Sequence, residues 1–214
     1  RNGPAVLRIW EAQELAVVLG ASCRWREEVR VDTCRADGVA IARRSSGGGT
    51  VLIGPGALNV AVVLPLDVAP GLEAVDVAQR FVLERLAAEL RALGPQVEVL
   101  GSGDLTLGRR KFAGSAQRRL RRHFLVHLTL LYNFPLDLIG RYTALPTRQP
   151  AYREGRPHDE FVTNLDLPRN RLVAAARSAW LPAHRPAPEA PLPFDLVDSL
   201  VATKFATPSW IERF

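Results

Sequence analysis

Methionine is absent from the 214-residue sequence, and cysteine occurs only twice, at Cys23 and Cys34. Two cysteines cannot build the disulfide framework of a small secreted protein, so the pattern indicates reduced thiols and a cytoplasmic protein. The sequence also lacks an apolar stretch long enough to span a bilayer, and no secretory signal pattern opens it. Because the chain begins at Arg1 and contains no methionine, we expect that its natural N-terminus is incomplete.

Lysine is scarce as well. Of the 28 basic residues only Lys111 and Lys204 are lysines, which leaves 26 arginines. A lysine that persists in such a chain is a candidate for a position where arginine fails, because an ammonium is a compact point charge and a guanidinium a wide planar fork. Chance retention would leave the same pattern, so the scarcity by itself only marks candidates.

Aromatic residues make up only 7% of the chain, whereas the net charge is +6. A basic protein favours an acidic partner, which includes nucleic acid, an acidic protein and a phosphorylated ligand. The densest basic run, Arg118–Arg122, has few of the neighbouring aromatic residues on which nucleic-acid-binding surfaces stack bases. We therefore interpret the run as a solvated face or as a docking surface for an acidic protein domain, and expect no nucleic-acid partner.

Alternating apolar runs and helical repeats predict a mixed α/β or α+β domain rather than a strict βαβ array. Apolar runs typical of strands cover 6–10, 15–19, 39–42, 50–53, 58–64, 97–100, 105–107 and 124–132. Helices are predicted over 24–35 (on the surface), 72–93, 167–180 and 196–205, a loop over 142–157, and an extended proline-rich connection over 182–193. His123 and His127 lie in or beside a predicted strand without a third ligand, which argues against a metal pair.

Three consecutive glycines, Gly47–Gly49, separate two predicted strands directly after Arg44 and Ser46. Glycines in such a place serve either a tight turn or the close approach of backbone amides to an anion. Arginine and serine next to them favour the anion, because both donate hydrogen bonds to phosphate or carboxylate. The nucleotide motifs G-x-G-x-x-G and G-x-x-x-x-G-K-[ST] do not occur.

The segment 110–116 places Lys111 among small residues and a further glycine. A lysine there would reach a bound carboxylate and an α-phosphate and neutralise the charge that develops as pyrophosphate leaves. A surface lysine before a turn has the same local sequence, so this segment is a weak signal when taken alone.

Together the two segments resemble the lipoate–protein ligases, within the larger group of biotin and lipoate ligases. Residues 42–49 match the family's R-R-x-S-G-G-G loop, and 110–116 match R-K-x-[SA]-G-[SN]-A. Further matches in the family's order are 56–59 (G-N-L-N), 103–105 (N-D-L), 127–131 (H-G-T-L-L), 162–165 (V-T-N-L), and Lys204 and Phe205 with Trp210 (K-[YF]…W). The order and spacing of these matches make the resemblance specific.

Several positions depart from the family's pattern. Ile53 and Gly54 stand where the family often has His-Asp, Ala57 replaces the first asparagine of G-N-L-N, and Gly103 replaces the asparagine of N-D-L. Leu128 replaces the glycine of H-G-T-L-L, a bulky change on a strand expected near the acyl pocket. We expect these changes to alter acyl-chain choice or to weaken nucleotide binding.

The resemblance implies a biotin/lipoate ligase-like α+β catalytic domain with mixed and antiparallel sheets flanked by helices. It implies that lipoate or octanoate attacks ATP in the presence of Mg²⁺ to give an acyl-adenylate, and that a carrier lysine then takes the acyl group. Lys111 is the catalytic residue on this reading. The residues that would bind ATP and lipoyl-AMP are Arg44, Ser46, Gly47, Gly48, Gly49, Asn59, Asp104, Gly114 and Ser115, with Asp104 also the candidate Mg²⁺ ligand.

The implied partner is an acidic lipoyl carrier domain, from a 2-oxoacid dehydrogenase E2 or a glycine-cleavage H-type protein. Many family members continue into a small accessory domain after the K-[YF]…W segment. Because this sequence ends at Phe214, we expect residues 1–214 to form a single catalytic domain without that accessory domain. Such a domain would act alone or with a separate small accessory protein.

Three other readings remain open, one of which is a basic nucleic-acid-binding domain, which salt-dependent binding to a duplex or single strand would support. An octanoyl- or lipoyl-transferase of the same fold would use a cysteine nucleophile after the lysine segment, whereas both cysteines here precede the glycine loop. A non-catalytic binding protein that kept the fold is compatible with the departures at Ala57, Gly103 and Leu128.

Overall fold

The strands form two sheets in the computed structural model, which describes residues 5–181 and 191–214. In chain order they are β1 (Val6–Glu11), β2 (Ala16–Leu19), β3 (Ala40–Arg43), β4 (Val51–Ile53), β5 (Ala57–Pro65), β6 (Val97–Leu100), β7 (Asp104–Leu107), β8 (Arg110–Arg119) and β9 (His123–Leu131). The larger sheet has the order β1-β5-β9-β8-β7-β6 and is antiparallel throughout. The smaller sheet has the order β3-β2-β4, with β2 parallel to β3 and antiparallel to β4.

Eight α-helices accompany the sheets in the described part of the chain. They are α1 (Trp25–Glu28), α2 (Val31–Ala36), α3 (Val75–Arg91), α4 (Asp137–Tyr142), α5 (His158–Phe161), α6 (Arg169–Trp180), α7 (Phe194–Leu200) and α8 (Pro208–Ile211). Short 3₁₀ turns cover Leu66–Val68 and Ala151–Arg153, and a π-helical turn, Val201–Phe205, continues α7. Across 5–181 and 191–214, none of these helices combines the length and the apolar character needed to cross a membrane.

Helix α3 buries the apolar face that its sequence repeat predicts. Ala78, Val82, Leu86 and Leu90 recur at four-residue steps and are all buried in the main hydrophobic core, where α3 and α6 cover one face of the larger sheet. Each large aliphatic side chain buried there contributes about 1.5–3 kcal/mol relative to an exposed one. Gly94, with φ +115°, follows the helix and reverses the chain.

Strand β9 lies in the middle of the larger sheet and separates two environments. Its even-numbered residues, among them Leu128, belong to the core beneath α3 and α6. Successive side chains of a strand point to opposite faces, so His127 and Thr129 face the smaller sheet. The bulky residue at position 128 therefore packs into the helix-side core, on the face opposite to these two polar residues.

The smaller sheet and the short helices enclose a second core. Trp25, Cys34 and Leu52 are buried in it together with Leu131 and Phe161, which come from the other half of the chain. The prediction of one surface helix over 24–35 is wrong in two respects. The segment forms α1 and α2 with a break between them, and Trp25 and Cys34 are buried.

The predicted α+β class is confirmed, and most predicted elements agree with the structure to within three residues. Strand β8 has no counterpart among the predictions, because its charged and small residues lack an apolar alternation; pairing with β7 and β9 supplies its stability instead.

The predicted buried strand over 39–42 is an edge strand with Ala40 exposed. Pro168 caps α6 rather than opening its first turn. Of the predicted connection over 182–193, residues 182–190 lie outside the described part of the chain.

Candidate functional site

A cavity of about 1190 Å³ lies between the two sheets. Its floor is the face of the larger sheet that carries His127 and Thr129, and its walls are the glycine loop, the start of β7 and the segment around 144–153. Of the residues that the sequence singles out, the cavity wall includes Arg44, Ser46, Gly48, Gly49, Asn59, Asp104, Lys111, Gly114 and Ser115. A second cavity, of about 440 Å³ beside α1 and α2, contains none of them.

Strand register explains why distant residues share this floor. Trp10 pairs with Asn59, Asn59 with Thr129, Thr129 with Gly114, and Gly114 with Asp104. These five residues form one row across five strands, and all of them line the cavity. Within the row, the Thr129 hydroxyl donates to Asn59 Oδ1 at 2.8 Å.

The next row along the strands consists of small residues around a histidine. Ala61 pairs with His127, and His127 with Ala116. All three line the cavity. Two alanines beside an uncharged ring leave room on this part of the floor for an apolar chain.

The guanidinium of Arg44 organises the glycine loop. Its Nη2 donates to the carbonyl oxygens of Gly47 at 2.6 Å and Gly49 at 2.8 Å, and its Nη1 donates to that of Val18 at 3.1 Å. Burial lowers the pKa of Arg44 to about 10, which leaves the side chain charged at neutral pH. Arg44 thus uses most of its donors on the loop and presents no free fork to a ligand.

The carbonyl groups of the loop point into the protein. Besides the two bound by Arg44, that of Ser46 accepts from Ala21 N–H and that of Gly48 from the Cys23 thiol. In the described part of the chain, no hydrogen bond uses the N–H groups of Gly47–Gly49 as donors. The loop therefore offers several backbone donors, with a cation behind them, as an anion-binding concavity does. Gly47 itself is absent from the cavity wall.

Gly48 is the residue of the loop that must be glycine. Its φ is +82°, and a Cβ there would lie 3.0 Å from Arg44 Nη2 and 3.2 Å from the Ala116 Cβ. A Cβ on Gly20, in the adjacent turn, would collide with the Gly48 carbonyl group. At Gly47 and Gly49 an added Cβ would meet nothing within 4 Å.

Ser46 and His127 form a polar pair, in which Ser46 is buried and His127 partly buried. The Ser46 Oγ lies 2.6 Å from His127 Nε2 and accepts a hydrogen bond from Arg44 Nε at 3.1 Å. Burial, together with the charge of Arg44, lowers the pKa of His127 to about 4. The imidazole is therefore neutral at pH 7 and shares a hydrogen bond with the Ser46 hydroxyl.

Lys111 forms an ion pair with Asp104. Its Nζ lies 2.7 Å from Asp104 Oδ1, and Tyr152 donates its hydroxyl to Asp104 Oδ2 at 2.7 Å. The lysine side chain lies across Gly114, where a Cβ would come within 2.7 Å of Lys111 Nζ. A side chain at position 114 would therefore displace the end of the lysine.

Ser115 belongs to the wall but directs its hydroxyl elsewhere. The Ser115 Oγ donates to the Gly103 carbonyl at 2.7 Å and accepts from Gln79 Nε2 of α3 at 2.8 Å. A Cβ on Gly103 would overlap Gln79 and lie 2.6 Å from Ser115 Oγ. The side chains of Gln79 and Ser115 therefore fill the space beside position 103, where glycine departs from the family pattern.

Sequence reasoning missed His127 and Tyr152 as site residues. The H-G-T-L-L match pointed toward His127, but only the strand register places it opposite the glycine loop. Tyr152 lies in a segment predicted to be a loop, where no local pattern marks it. Lys204 and Trp210, by contrast, do not line the cavity, and the Lys204 ammonium lies 4.2 Å from the centre of the Trp210 ring.

Cys23 lines the cavity although it precedes the glycine loop in sequence. Chain order alone is therefore a poor criterion for excluding a thiol from the site. Burial raises the pKa of the Cys23 thiol, and the neighbouring Glu28 carboxylate raises it further. Both effects disfavour the thiolate, which is the nucleophilic form.

Asp104 is the candidate ligand for a divalent cation. No cluster of three or more His, Cys, Asp or Glu side chains that could hold a metal occurs within 5–181 and 191–214. Mg²⁺ in nucleotide sites commonly uses one or two carboxylates together with substrate phosphates. One carboxylate beside a flexible lysine fits that kind of site, whereas a cage built only from protein ligands is not available in the described residues.

Fold and cavity together define an α+β protein whose site combines backbone donors, a partly buried arginine and a lysine–aspartate pair. Residues 1–179 match the family model of the lipoyl protein ligase A/B catalytic domain. The chain belongs to this family, as its motifs predict.

Two curated relatives carry different activities in their names. The chain is 32% identical over 136 residues to a lipoate-protein ligase A from Psychrobacter cryohalolentis. The aligned region covers 64% of the chain and 38% of that protein. The chain is also 32% identical over 140 residues to an octanoyl-[GcvH]:protein N-octanoyltransferase from Geobacillus kaustophilus. Here the aligned region covers 60% of the chain and 48% of that protein. The chain thus matches less than half the length of each.

Solved structures share the fold. A lipoate-protein ligase A bound with ATP superposes with a TM-score of 0.81 at 22% identity, covering 98% of this chain and 86% of that one. The structure of a bi-partite lipoate protein ligase and its E2 lipoyl domain from Thermoplasma acidophilum gives a TM-score of 0.80 at 23% identity, covering 98% and 84%. These similarities confirm the predicted α+β fold, which the chain shares with lipoate-protein ligase structures.

Proposed function

We propose that the protein activates lipoate or octanoate with ATP to an acyl-adenylate and transfers the acyl group to a lysine of a carrier domain. The observation that carries this proposal is one cavity whose wall includes Lys111 together with Gly48 and Gly49, whose N–H groups donate no hydrogen bond within the described residues. An acyl-adenylate is anionic at its phosphate, and backbone donors with a nearby ammonium are suited to hold it.

In the first step a carboxylate oxygen of the acid attacks the α-phosphorus of ATP, and the bond to pyrophosphate breaks. Lys111 has three N–H donors, so it keeps its contact with Asp104 and uses the others to bind the acyl carboxylate and the α-phosphate, where it neutralises the charge that develops. The loop amides hold the phosphate oxygens, and Arg44 keeps the loop in this shape. Mg²⁺, held by Asp104 and the substrate phosphates, would supply further charge neutralisation when bound.

In the second step the carrier lysine amine attacks the acyl carbon, and AMP leaves with the electron pair of the broken C–O bond. The acyl chain lies along the row of Ala61, His127 and Ala116, where side chains are small and the imidazole is neutral.

The second candidate function is octanoyl transfer without ATP, because a relative of that name matches the chain as well as a ligase does. Such a transfer needs a nucleophile, and Cys23 is the thiol in the cavity wall. Its raised pKa argues against that role. A Cys23→Ser variant that retains full ATP-dependent activity would support the ligase.

Carrier domains of the lipoyl type are the proposed partners. One matched relative names GcvH as its acyl donor, and one matched structure includes an E2 lipoyl domain. Arg118, Arg121 and Arg122 are exposed on and beyond the end of β8 and suit an acidic surface.

The decisive test is the mass of a lipoyl-type carrier domain after incubation with the protein, Mg²⁺ and lipoate or octanoate, with and without ATP. The ligase predicts the acyl mass increment only with ATP, together with pyrophosphate release. Acyl transfer from an octanoylated carrier without ATP would establish the transferase instead. Tight binding of an acyl-adenylate analogue with neither reaction would indicate a non-catalytic binding protein.

We propose further that the catalytic domain completes the reaction alone or with a small separate protein. Supplying pre-formed lipoyl-adenylate separates the two cases. Transfer from the adenylate without reaction from lipoate and ATP indicates that a partner is needed for activation, and activity from both substrates indicates that this domain suffices.

A further inference from the structure

The 3₁₀ turn Ala151–Arg153 brings one aromatic side chain over the lysine–aspartate pair. The Tyr152 ring lies 5.3 Å from the Phe161 ring and against Gly101, whose added Cβ would come within 3.4 Å of it. Its carbonyl oxygen accepts from Arg156 Nη2 at 2.8 Å and from Arg109 Nη2 at 3.3 Å. Ring and backbone of Tyr152 are therefore both held in place.

The two oxygens of Asp104 have separate partners. Oδ2 accepts the Tyr152 hydroxyl at 2.7 Å, and Oδ1 lies 2.7 Å from Lys111 Nζ. A carboxylate with one partner rotates about its last bond, whereas one held at both oxygens does not. The phenol thereby helps to fix the orientation in which the carboxylate faces the lysine.

We propose that Tyr152 is a positioning residue that aims Asp104 at Lys111 and so holds the ammonium over the site of adenylate formation. The inference rests on the proposed ligase function. Tyr152 touches neither the reacting carboxylate nor the phosphate in this arrangement and acts through Asp104.

The first test is kinetic and uses a matched control. Tyr152→Phe removes only the hydroxyl, and Tyr142→Phe removes a comparable hydroxyl that donates to Asp37 at 3.0 Å, outside the cavity. Loss of a hydrogen bond to a charged group predicts that the kcat of adenylate formation falls about tenfold or more in Tyr152→Phe, with the KM for lipoate changed less than about twofold. Tyr142→Phe should retain the wild-type kcat.

A double-mutant cycle shows whether the effect passes through the carboxylate. If Tyr152 acts through Asp104, the Tyr152→Phe change has no further effect on kcat in an Asp104→Asn background. Equal fold losses in both backgrounds would overturn the proposal, as would an unchanged kcat in the single variant.

A labelling experiment reads the lysine itself and does not depend on activity. Lys111 and Lys204 are the only lysines, so an amine-specific acylating reagent followed by peptide mass spectrometry reports each one separately. In Tyr152→Phe we expect the Lys111 labelling rate to change at least about threefold relative to Lys204, since the ion pair that restrains its ammonium is loosened. An unchanged ratio would contradict the positioning role.

Wild-type protein without ATP-dependent activity on any carrier, but with the expected labelling change, would overturn the proposed function and leave the positioning of Lys111 supported. Normal wild-type activity with no response to Tyr152→Phe in either measurement would support the proposed function and overturn the positioning role of Tyr152.

Discussion

At the scale of single residues, the site depends on the ammonium of Lys111, which can bind both Asp104 and a substrate anion. Lys111 lies above Gly114 and beside Asp104. Its second partner during the reaction would be the phosphate or the acyl carboxylate. A point charge on a flexible stem moves between such partners more readily than a planar fork does.

Replacing Lys111 by Arg should therefore lower the rate of adenylate formation by about a hundredfold, the usual effect of losing one well-placed donor to a developing anion. Pyrophosphate release in the presence of lipoate and ATP measures this rate. Lys204→Arg is the matched control, since Lys204 lies over Trp210 outside the cavity and should behave as wild type. Near-normal turnover of Lys111→Arg would remove the residue from the mechanism.

The neutral His127 predicts a pH dependence of stability. Its folded pKa of about 4 lies below the ordinary value of 6.5, so the unfolded chain binds more protons between these two values. Stability from this group is complete above about pH 6.5 and is lost as the pH falls toward 4, by at most about 3 kcal/mol.

Urea unfolding between pH 7 and pH 4 measures that loss. In His127→Gln, an uncharged side chain that can still bond to Ser46, the decline with falling pH should be shallower. Some decline will remain, because burial also lowers the pKa of His158. Equal slopes for variant and wild type would show that His127 titrates normally.

At the scale of elements, the glycine loop between β3 and β4 is shaped by its arginine and by one positive φ angle. Every loop carbonyl from Ser46 to Gly49 has a donor inside the protein, which turns the N–H groups outward. A side chain at Gly48 disturbs this arrangement twice, through the φ of +82° and through contact with Arg44.

Gly48→Ala should weaken binding of a non-reactive acyl-adenylate analogue by about tenfold or more, because the left-handed backbone costs about 1–2 kcal/mol in any residue with a Cβ. Isothermal calorimetry measures the affinity, and circular dichroism checks that the fold is kept. Gly47→Ala is the control, since its Cβ meets nothing within 4 Å, and should bind as wild type does. Equal affinities for all three proteins would reduce the loop to a turn.

At the scale of the whole molecule, a buried arginine joins the last residues of the chain to the smaller sheet. Arg43 is 2% exposed and donates to the carbonyl oxygens of Gly20, Cys23, Ile211 and Arg213 at 2.7–3.0 Å. In return Trp210 Nε1 donates to the Arg43 carbonyl at 2.8 Å. The K-[YF]…W segment thus contributes to the fold here and not to the cavity wall.

Arg43→Lys should lower the free energy of unfolding by about 2–4 kcal/mol, because three ammonium donors cannot satisfy the buried carbonyls that a guanidinium reaches. Denaturation in urea gives the value. Arg141→Lys, at an exposed ion pair with Asp37, should cost less than about 1 kcal/mol. A similar small loss at Arg43 would mean that the C-terminal segment is held mainly by other contacts.

Much of the architecture is predictable from sequence patterns, because α3, α6 and β9 each have an apolar period that matches their environment. Strand β8 escaped this reasoning, since its stability comes from pairing with β7 and β9 and not from its own composition. Leu128 lies on a strand along the cavity, as expected, but the sequence did not reveal that its side chain packs into the main core on the other face of the sheet.

The sequence by itself determined the chemistry that this protein can offer: a triple glycine after two arginines, and a lysine beside small residues in a chain that otherwise uses arginine. These are local patterns, because backbone freedom and head-group shape belong to single residues. The tertiary structure decided which groups meet. Ser46 reaches His127 across 81 residues and Tyr152 reaches Asp104 across 48, distances over which only strand register and loop packing set the partners. Hydrogen bonds of that kind depend on ångström-scale placement, which no single-residue preference encodes.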